Sequence, residues 1–134
     1  MGLIADPMPP ILLVFLGAGI GGVLRHGVNT LSPRLFGAGF PAGTLSINVL
    51  GSFLIGLIAG WLAFRLHAEW SQAARLFVIT GILGGFTTFS AFSLEFALLV
   101  ERGAIGLAAL YVVASVGLSL AAVFAGLMLV RAFA

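Results

Sequence analysis

Four long runs of apolar residues dominate this sequence, and each has about the length that crosses a lipid bilayer. They cover residues 11–30, 43–64, 76–100 and 104–130. A membrane-spanning helix needs roughly 20 mostly apolar residues, and helix tilt accommodates the longer runs. The sequence therefore predicts an all-α membrane protein with four transmembrane helices, forming a single domain over residues 1–134 and surrounded by membrane lipid.

Charged residues are too few to cover a water-exposed surface. They make up 7% of the chain, whereas 61% of the residues are hydrophobic. Because a soluble domain carries about 25% charged residues, composition excludes that class. The sequence contains no Cys, which excludes disulfides and thiolate metal sites. The first ten residues include Asp6 but no Arg or Lys, so no cleaved signal peptide is expected.

The six Arg residues are divided equally between the two sides of the predicted helix bundle. Each lies near a predicted helix end, where interfacial anchoring is the usual role of Arg, and their scatter predicts no nucleic-acid partner. Basic residues in short loops fix orientation, so an equal division favours insertion both ways and an antiparallel homodimer. The alternative is a single orientation fixed by a partner or by the N-terminus. One side has Arg65, Arg75 and Arg131, and the other has Arg25, Arg34 and Arg102.

Glycine pairs in the first two spans predict close helix packing. Gly17 with Gly21, and Gly56 with Gly60, are G-x-x-x-G pairs, which let the backbones of membrane helices approach each other. The first span also contains G-x-G-x-x-G. The nucleotide-binding form of that motif follows a strand and needs an acid about 20 residues later, and the sequence provides neither.

Two lines of polar side chains run along the second and fourth spans. Each line repeats every four residues, which places its members on one helix face. Hydroxyl groups can bond to their own helix, but an amide cannot satisfy all its donors and acceptors in that way. Asn48 therefore indicates either a bond between helices or a pore lining. The lines are Thr44, Asn48 and Ser52 on the second span and Tyr111, Ser115 and Ser119 on the fourth.

The segment 81–93 is expected to break the third helix at mid-membrane. Three glycines and the β-branched pair Thr87–Thr88 weaken the helix there. Such a break is tolerated where freed carbonyl groups are buried in protein or meet water or an ion. Phe89, Phe92 and Phe96 then share one face. An aromatic stripe of this kind is usually core packing; alternatively, the positive ring edges hold a small anion weakly enough to conduct it.

Two ionisable residues in the predicted spans are functional candidates. Glu95 is the only acid inside a span, and an intramembrane carboxylate has a functional role by default. On an anion path it must be turned aside, protonated or hydrogen-bonded to pore groups. Arg25 and His26 close the first predicted helix, and we interpret Arg25 as an interfacial or vestibule anchor. No catalytic residue is predicted, so enzyme activity is not expected.

Three strings of residues, in this order, resemble the CrcB/Fluc family of fluoride channels. They are a Gly-rich first span ending in Arg25, GTLSINVLGSF at 43–53 and GGFTTFSAFS at 84–93. The likeness covers nearly the whole chain. It implies a dual-topology antiparallel homodimer with two fluoride pores, which exports fluoride passively across the prokaryotic plasma membrane.

The resemblance also implies roles for individual residues along the pore. Phe89 and Phe92 match phenylalanines whose ring edges line the pore, the two rings serving different pores of the dimer. Asn48 matches an asparagine that donates to fluoride, and Glu95 matches a carboxylate at the end of a polar track. The residues that match the track itself are Thr44, Tyr111, Ser115 and Ser119.

A structural sodium ion is a further implication of the resemblance. Gly84 and Thr87 match the positions whose carbonyl oxygens, taken from both subunits, enclose a central sodium that is not transported. The sequence departs from the family pattern at Ala91, where a hydroxyl residue usually stands. One hydrogen-bond donor beside the two phenylalanines is therefore lost.

Two other functions remain as alternatives. A small proton-coupled multidrug-type exporter also has four helices and dual topology, but it needs a carboxylate in the first span, and residues 11–30 contain none. A non-conducting accessory subunit of a larger membrane complex would account for the packing glycines. It would leave the two polar lines beside a broken third helix unexplained.

Overall fold

The computed structural model describes residues 8–133 and consists, over those residues, of helices and short connections. Asp6, on which the expectation about a signal peptide rests, lies outside the described residues. The first two long helices are α1 (Pro10–Phe36) and α2 (Ala42–Ala63). The third span, Ser71–Glu101, consists of α3 (Ser71–Ala74), a π-helical segment (Arg75–Leu83), α4 (Gly84–Phe86) and α5 (Ser90–Glu101). The fourth long helix is α6 (Ile105–Ala132).

The side chains are distributed as in a membrane protein, with large apolar groups outside and small or polar groups inside. Ile11 is 81% exposed, whereas Gly17, Thr44 and Ser115 are buried. All four spans are long and apolar enough to cross a membrane. Lipid tails solvate apolar side chains as well as a protein core does, so this arrangement costs nothing in a bilayer. The chain is a multi-pass membrane protein.

The first helix is longer than the sequence predicts. Residues 11–30 were expected, but α1 continues to Phe36 and ends where Gly37 adopts a positive φ of 77°. The Gly37 N–H donates to the Pro33 carbonyl at 3.0 Å. Arg25 and His26 therefore do not close the helix, and the interpretation of Arg25 as a helix-end residue is wrong. The physical reason is that a helix ends at a residue free to leave helical dihedrals, and the first glycine that does so is Gly37.

Glycines bring α1 and the third span into backbone contact. A Cβ atom added at Gly17 would lie 2.9 Å from the Cα of Gly81, and one at Gly21 would clash with the Ile82 carbonyl. Gly85 faces Ala18 with equally little space. The two backbones gain dispersion energy at this distance, and larger side chains at these positions would keep the backbones apart. The packing role predicted for Gly17 and Gly21 is confirmed.

Helices α2 and α6 run in the same direction with a fixed register. Gly56 lies against the Val123 carbonyl and Gly60 against Leu127, at the same sequence offset that relates Thr44 to Tyr111. A constant offset is possible only for parallel helices. The two polar lines therefore run side by side along one seam, which is closed at its far end by glycine packing.

The third helix is interrupted at residues 87–89, after the glycines and not at them. Gly84 has helical dihedrals (φ −64°, ψ −38°), while Thr87 is extended (φ −82°, ψ 156°). The Leu83 carbonyl ends α4 by accepting from both the Thr87 N–H (3.0 Å) and the Thr87 hydroxyl (2.8 Å). The glycines were expected to weaken the helix. Gly81 and Gly85 instead provide close contact with α1, and the β-branched threonines form the break.

Candidate functional site

A cavity of about 370 Å³ lies beside the break, where the two polar lines face each other. We call it the polar cavity. Its apolar wall is formed by Ile55, Val116 and Leu120. Its remaining lining comprises Asn48, Ser52, Thr87, Thr88, Phe89, Phe92, Ser115 and Ser119.

Asn48 holds the broken backbone of the third span. Its Nδ2 donates to the Thr88 carbonyl at 2.9 Å, and its Oδ1 accepts from the Thr88 N–H at 2.9 Å. An amide carries two N–H donors, so one remains beyond this pair. Bonding between helices and lining a pore were the two alternatives for Asn48. The structure shows the bond between α2 and the third span, and the same side chain lines the polar cavity.

Thr88 also starts the second half of the third span. Its hydroxyl accepts from the Ala91 N–H at 3.2 Å, which satisfies one of the unpaired donors in the first turn of α5. The Thr88 Oγ1 atom lies 3.5 Å from the Ser90 hydroxyl. Sequence reasoning identified Thr88 only as a helix-weakening residue. Its main-chain pairing with Asn48 depends on a contact with α2 that no local pattern shows.

Two serines in the polar cavity have no hydrogen-bond partner among the described residues. The hydroxyl oxygens of Ser115 and Ser119 are buried, and neither makes a bond. By contrast, the Ser93 hydroxyl has a partner close in the sequence, because it donates to the Phe89 carbonyl four residues earlier at 3.1 Å. An unsatisfied buried hydroxyl costs roughly 1–3 kcal/mol. The cavity is therefore suited to a polar ligand that would form hydrogen bonds with these two hydroxyls.

The three phenylalanines of the predicted stripe occupy different environments. Phe89 precedes α5 and is 77% exposed. Its ring centroid lies 5.5 Å from that of Phe92, which in turn lies 5.0 Å from that of Tyr111. Phe96 packs against the core cluster of Leu99, Ala108 and Tyr111. Phe92 packs against the same core cluster, and both Phe89 and Phe92 border the polar cavity, so Phe92 combines the two roles considered for the stripe.

Glu95 accepts hydrogen bonds from both polar lines. The Thr44 hydroxyl donates to Oε1 and the Tyr111 hydroxyl to Oε2, each at 2.8 Å. Thr44 and Tyr111 are 1% and 0% exposed. Of the three arrangements considered for Glu95, the structure shows hydrogen bonding. Because Thr44 and Tyr111 lie one helical turn before Asn48 and Ser115, Glu95 closes one end of the seam.

A second cavity adjoins Glu95 on the side away from the polar cavity. It measures about 380 Å³ and is also lined by Gly39, Glu101 and Arg102. The Arg102 guanidinium donates to the Gly39 carbonyl at 3.0 Å, which fixes the connection between α1 and α2. Glu95 therefore lines this second cavity, whereas the lining of the polar cavity does not include it. Arg25, by contrast, is half-buried in the middle of α1 and is absent from the lining of the polar cavity.

The carbonyl groups of Gly84 and Thr87 have the chemistry of part of a cation site. Backbone oxygens are hard donors, but a hard cation takes about six or more oxygen ligands. Gly84 is on an open face, where an added Cβ would meet only the Ile79 carbonyl at 3.5 Å. No group of three or more His, Cys, Asp or Glu occurs among residues 8–133. The two positions would fit a shared ion only with further oxygen ligands, of which a second copy would supply two.

Comparison with known proteins identifies close relatives. The family model for CrcB-like protein, Camphor Resistance (CrcB), matches residues 12–127. Over 121 residues the chain is 61% identical to the fluoride-specific ion channel FluC of Rhodopseudomonas palustris (strain BisB5), covering 90% of this chain and 96% of the relative. It is 62% identical over 120 residues to the fluoride-specific ion channel FluC 2 of Nitrobacter hamburgensis, with coverage of 90% and 95%. The corresponding channel of Agrobacterium fabrum is 56% identical over 121 residues, with coverage of 90% and 95%.

Proposed function

Because the chain belongs to the CrcB family, we propose that it is a fluoride-selective channel, which passively exports fluoride from the cytoplasm across the bacterial plasma membrane. Relatives that it matches over nearly their whole length are named fluoride-specific ion channels. Passive conduction needs no catalytic group. The polar cavity and the seam that leads from it to Glu95 are the proposed ion path.

The unpaired hydroxyls of Ser115 and Ser119 are the observation that carries this proposal. Fluoride is small and strongly hydrated, so a pore must replace its water shell with hydrogen-bond donors. These two hydroxyls and the second N–H of Asn48 are such donors. The edges of Phe89 and Phe92 add a weak positive potential and a narrow wall that excludes larger halides.

The rest of the seam extends the path. Thr44 and Tyr111 continue the polar lines for one turn, and Glu95 holds both hydroxyls. An anion passing Glu95 takes over donors that the carboxylate now occupies. Arg25 is proposed as a vestibule or interfacial anchor, which its half-buried position in α1 permits.

We also propose that two inverted copies form the conducting unit, an antiparallel homodimer with two pores. Support comes from the exposure of Phe89 (77%) at the break and from the open face at Gly84. Both would be covered by a second copy. The Phe89 and Phe92 rings of one chain would then serve different pores, and the equal division of Arg permits insertion both ways.

A structural sodium ion at the two-fold axis is the last part of the proposal. The Gly84 and Thr87 carbonyls of both copies would hold it, and its charge would satisfy oxygens freed by the break. The residues of the chain itself still perform the conduction steps. They bind, orient and dehydrate the anion.

Fluoride efflux from liposomes that contain the purified protein, recorded with a fluoride electrode beside a chloride control, tests the function. We expect rapid efflux of fluoride and none of chloride. Equal passage of both ions would contradict selectivity, and no passage with sodium present would favour an accessory subunit. Transport of organic cations driven by a pH gradient would favour the exporter.

The inverted arrangement has its own test. Since the chain has no Cys, a single cysteine placed at exposed Ala38 can be labelled from each side of sealed vesicles. Roughly equal labelling from both sides is expected. Labelling from one side alone would rule out the antiparallel dimer.

A further inference from the structure

We propose that the groove between the C-terminal ends of α2 and α6 binds an anionic phospholipid, with an acyl chain in the groove and the phosphate at Arg65. The groove measures about 620 Å³. Its walls are apolar, with Leu57 on α2 facing Leu129 and Phe133 at the end of α6. Such a groove accepts a hydrocarbon chain, and among residues 8–133 the one charged group in its lining is the Arg65 guanidinium.

Arg65 lies over the ring of Trp61, which in turn stacks on Trp70. Its guanidinium carbon lies 4.5 Å from the centroid of the Trp61 ring, and Trp61 stacks on Trp70 at 5.5 Å with an interplanar angle of 28°. A stacked guanidinium uses its face, whereas its N–H donors point outward in the plane of the group. Those donors match the oxygens of a phosphate in a bidentate geometry. The side chain is thus held ready without using the donors that a headgroup needs.

The position along the helix selects a lipid as the occupant. Tryptophan side chains gather at the level of the lipid headgroups, and Trp61 and Trp70 mark that level here. Arg65 follows the end of α2, and Arg131 lies in the last turn of α6 at the same end. Positive charge at this depth attracts anionic headgroups over zwitterionic ones. A phospholipid would place its acyl chain in the groove and its phosphate at Arg65 at the same time.

Native mass spectrometry of the detergent-solubilised protein tests the proposal. The protein is given phosphatidylglycerol and phosphatidylcholine with identical acyl chains, in equal amounts. We expect preferential retention of phosphatidylglycerol, and Arg65→Gln should lower that preference by about fivefold. Arg34→Gln, an exposed residue in the last turn of α1 at the opposite end of the bundle, should leave it unchanged.

Two further measurements separate the alternatives. Glycerophosphoglycerol, which has the headgroup without acyl chains, and inorganic phosphate should both fail to displace the bound lipid. Displacement by either would show that the groove contributes nothing and would overturn the proposal. Equal retention of phosphatidylglycerol by the wild type and Arg65→Gln would also overturn it. The proposal would also be overturned if Arg65→Gln lost the dimer but still retained lipid, because that result would mean that a second copy covers the groove.

Discussion

Asn48 and Thr88 form a reciprocal pair, in which the side-chain amide of α2 donates to and accepts from the main chain of the broken third span. Both N···O distances are 2.9 Å. A helix break inside a membrane leaves main-chain groups without partners, and water is not available to satisfy them. One side chain here satisfies two such groups. The same residue borders the polar cavity, so structure and proposed conduction depend on it together.

We expect Asn48→Ala to lower both stability and fluoride efflux. The substitution leaves the Thr88 N–H and carbonyl without partners, at a cost of roughly 1–3 kcal/mol for the unsatisfied groups. Asn48→Asp should be worse, because a carboxylate accepts from the N–H but faces the Thr88 carbonyl without a donor. Thermal unfolding in detergent and liposome efflux measure the two effects. Ser46→Ala, an exposed position on the same helix, is the control. Unchanged melting of Asn48→Ala would contradict the pairing.

Removing the unpaired hydroxyls should have the opposite effect on stability. In Ser115→Ala and Ser119→Ala the desolvation penalty disappears, so we expect the protein to be as stable as the wild type or more stable, by about 1 kcal/mol each. Fluoride efflux should fall at least about tenfold in each single variant and at least about a hundredfold in the double variant, because each hydrogen bond to a charged group contributes roughly 1.5–3 kcal/mol. Thr30→Val, which removes a hydroxyl bonded to the His26 carbonyl, is the control. Normal efflux in the double variant would remove the main support for the ion path.

The aromatic wall can be tested at Phe92. Phe92→Ile keeps an apolar side chain but removes the ring edge and the 5.0 Å contact with Tyr111. We expect fluoride efflux to fall at least tenfold while the protein still elutes as an assembled species, since swaps between apolar residues usually cost less than about 1.5 kcal/mol. Phe15→Ile, on the exposed face of α1, should conduct normally. Equal fluxes in the two variants would exclude a role for the ring.

The sequence was sufficient to predict the four membrane-spanning helices, because the length and the apolar composition of a stretch decide whether it can cross a membrane. It also placed the members of each polar line on one face of their helix, and these two faces meet in the structure. The position of Glu95 at the end of the polar track was implied only by the family resemblance. The sequence misplaced the end of α1, because polar residues near Thr30 resemble an end while the helix continues to Gly37. Local patterns did not reveal the partner of Thr88. That information depends on which helix lies beside the break.

The glycines also show what sequence spacing alone cannot predict. Sequence spacing identified Gly56 as a packing residue but could not tell it from Gly117, which has open space around it. We expect Gly56→Ala to destabilise the protein by about 1–3 kcal/mol, because the added Cβ clashes with the Val123 carbonyl. Gly117→Ala should stabilise it by about 0.5–1 kcal/mol, since alanine loses less backbone entropy in a helix. Melting temperatures of the two variants provide the comparison. A stable Gly56→Ala protein would contradict the close approach of α2 and α6.

Glu95 and Tyr111 should behave as one unit in conduction. The Tyr111 hydroxyl donates to Oε2, while Thr44 holds Oε1, so each carboxylate oxygen has its own donor. Tyr111→Phe removes one donor, and Glu95→Gln replaces one carboxylate oxygen by an amide NH2 group, which donates to a hydroxyl and can no longer accept from it. If fluoride takes over these donors as it passes, each single variant should slow efflux, and the double variant should slow it by less than the product of the two. Residues in direct contact typically show a coupling of about 0.5–3 kcal/mol, which corresponds to a factor of roughly two to a hundred in rate. Efflux rates that multiply independently would mean that the ion does not use this pair of groups, and the path would then have to leave the seam before Glu95.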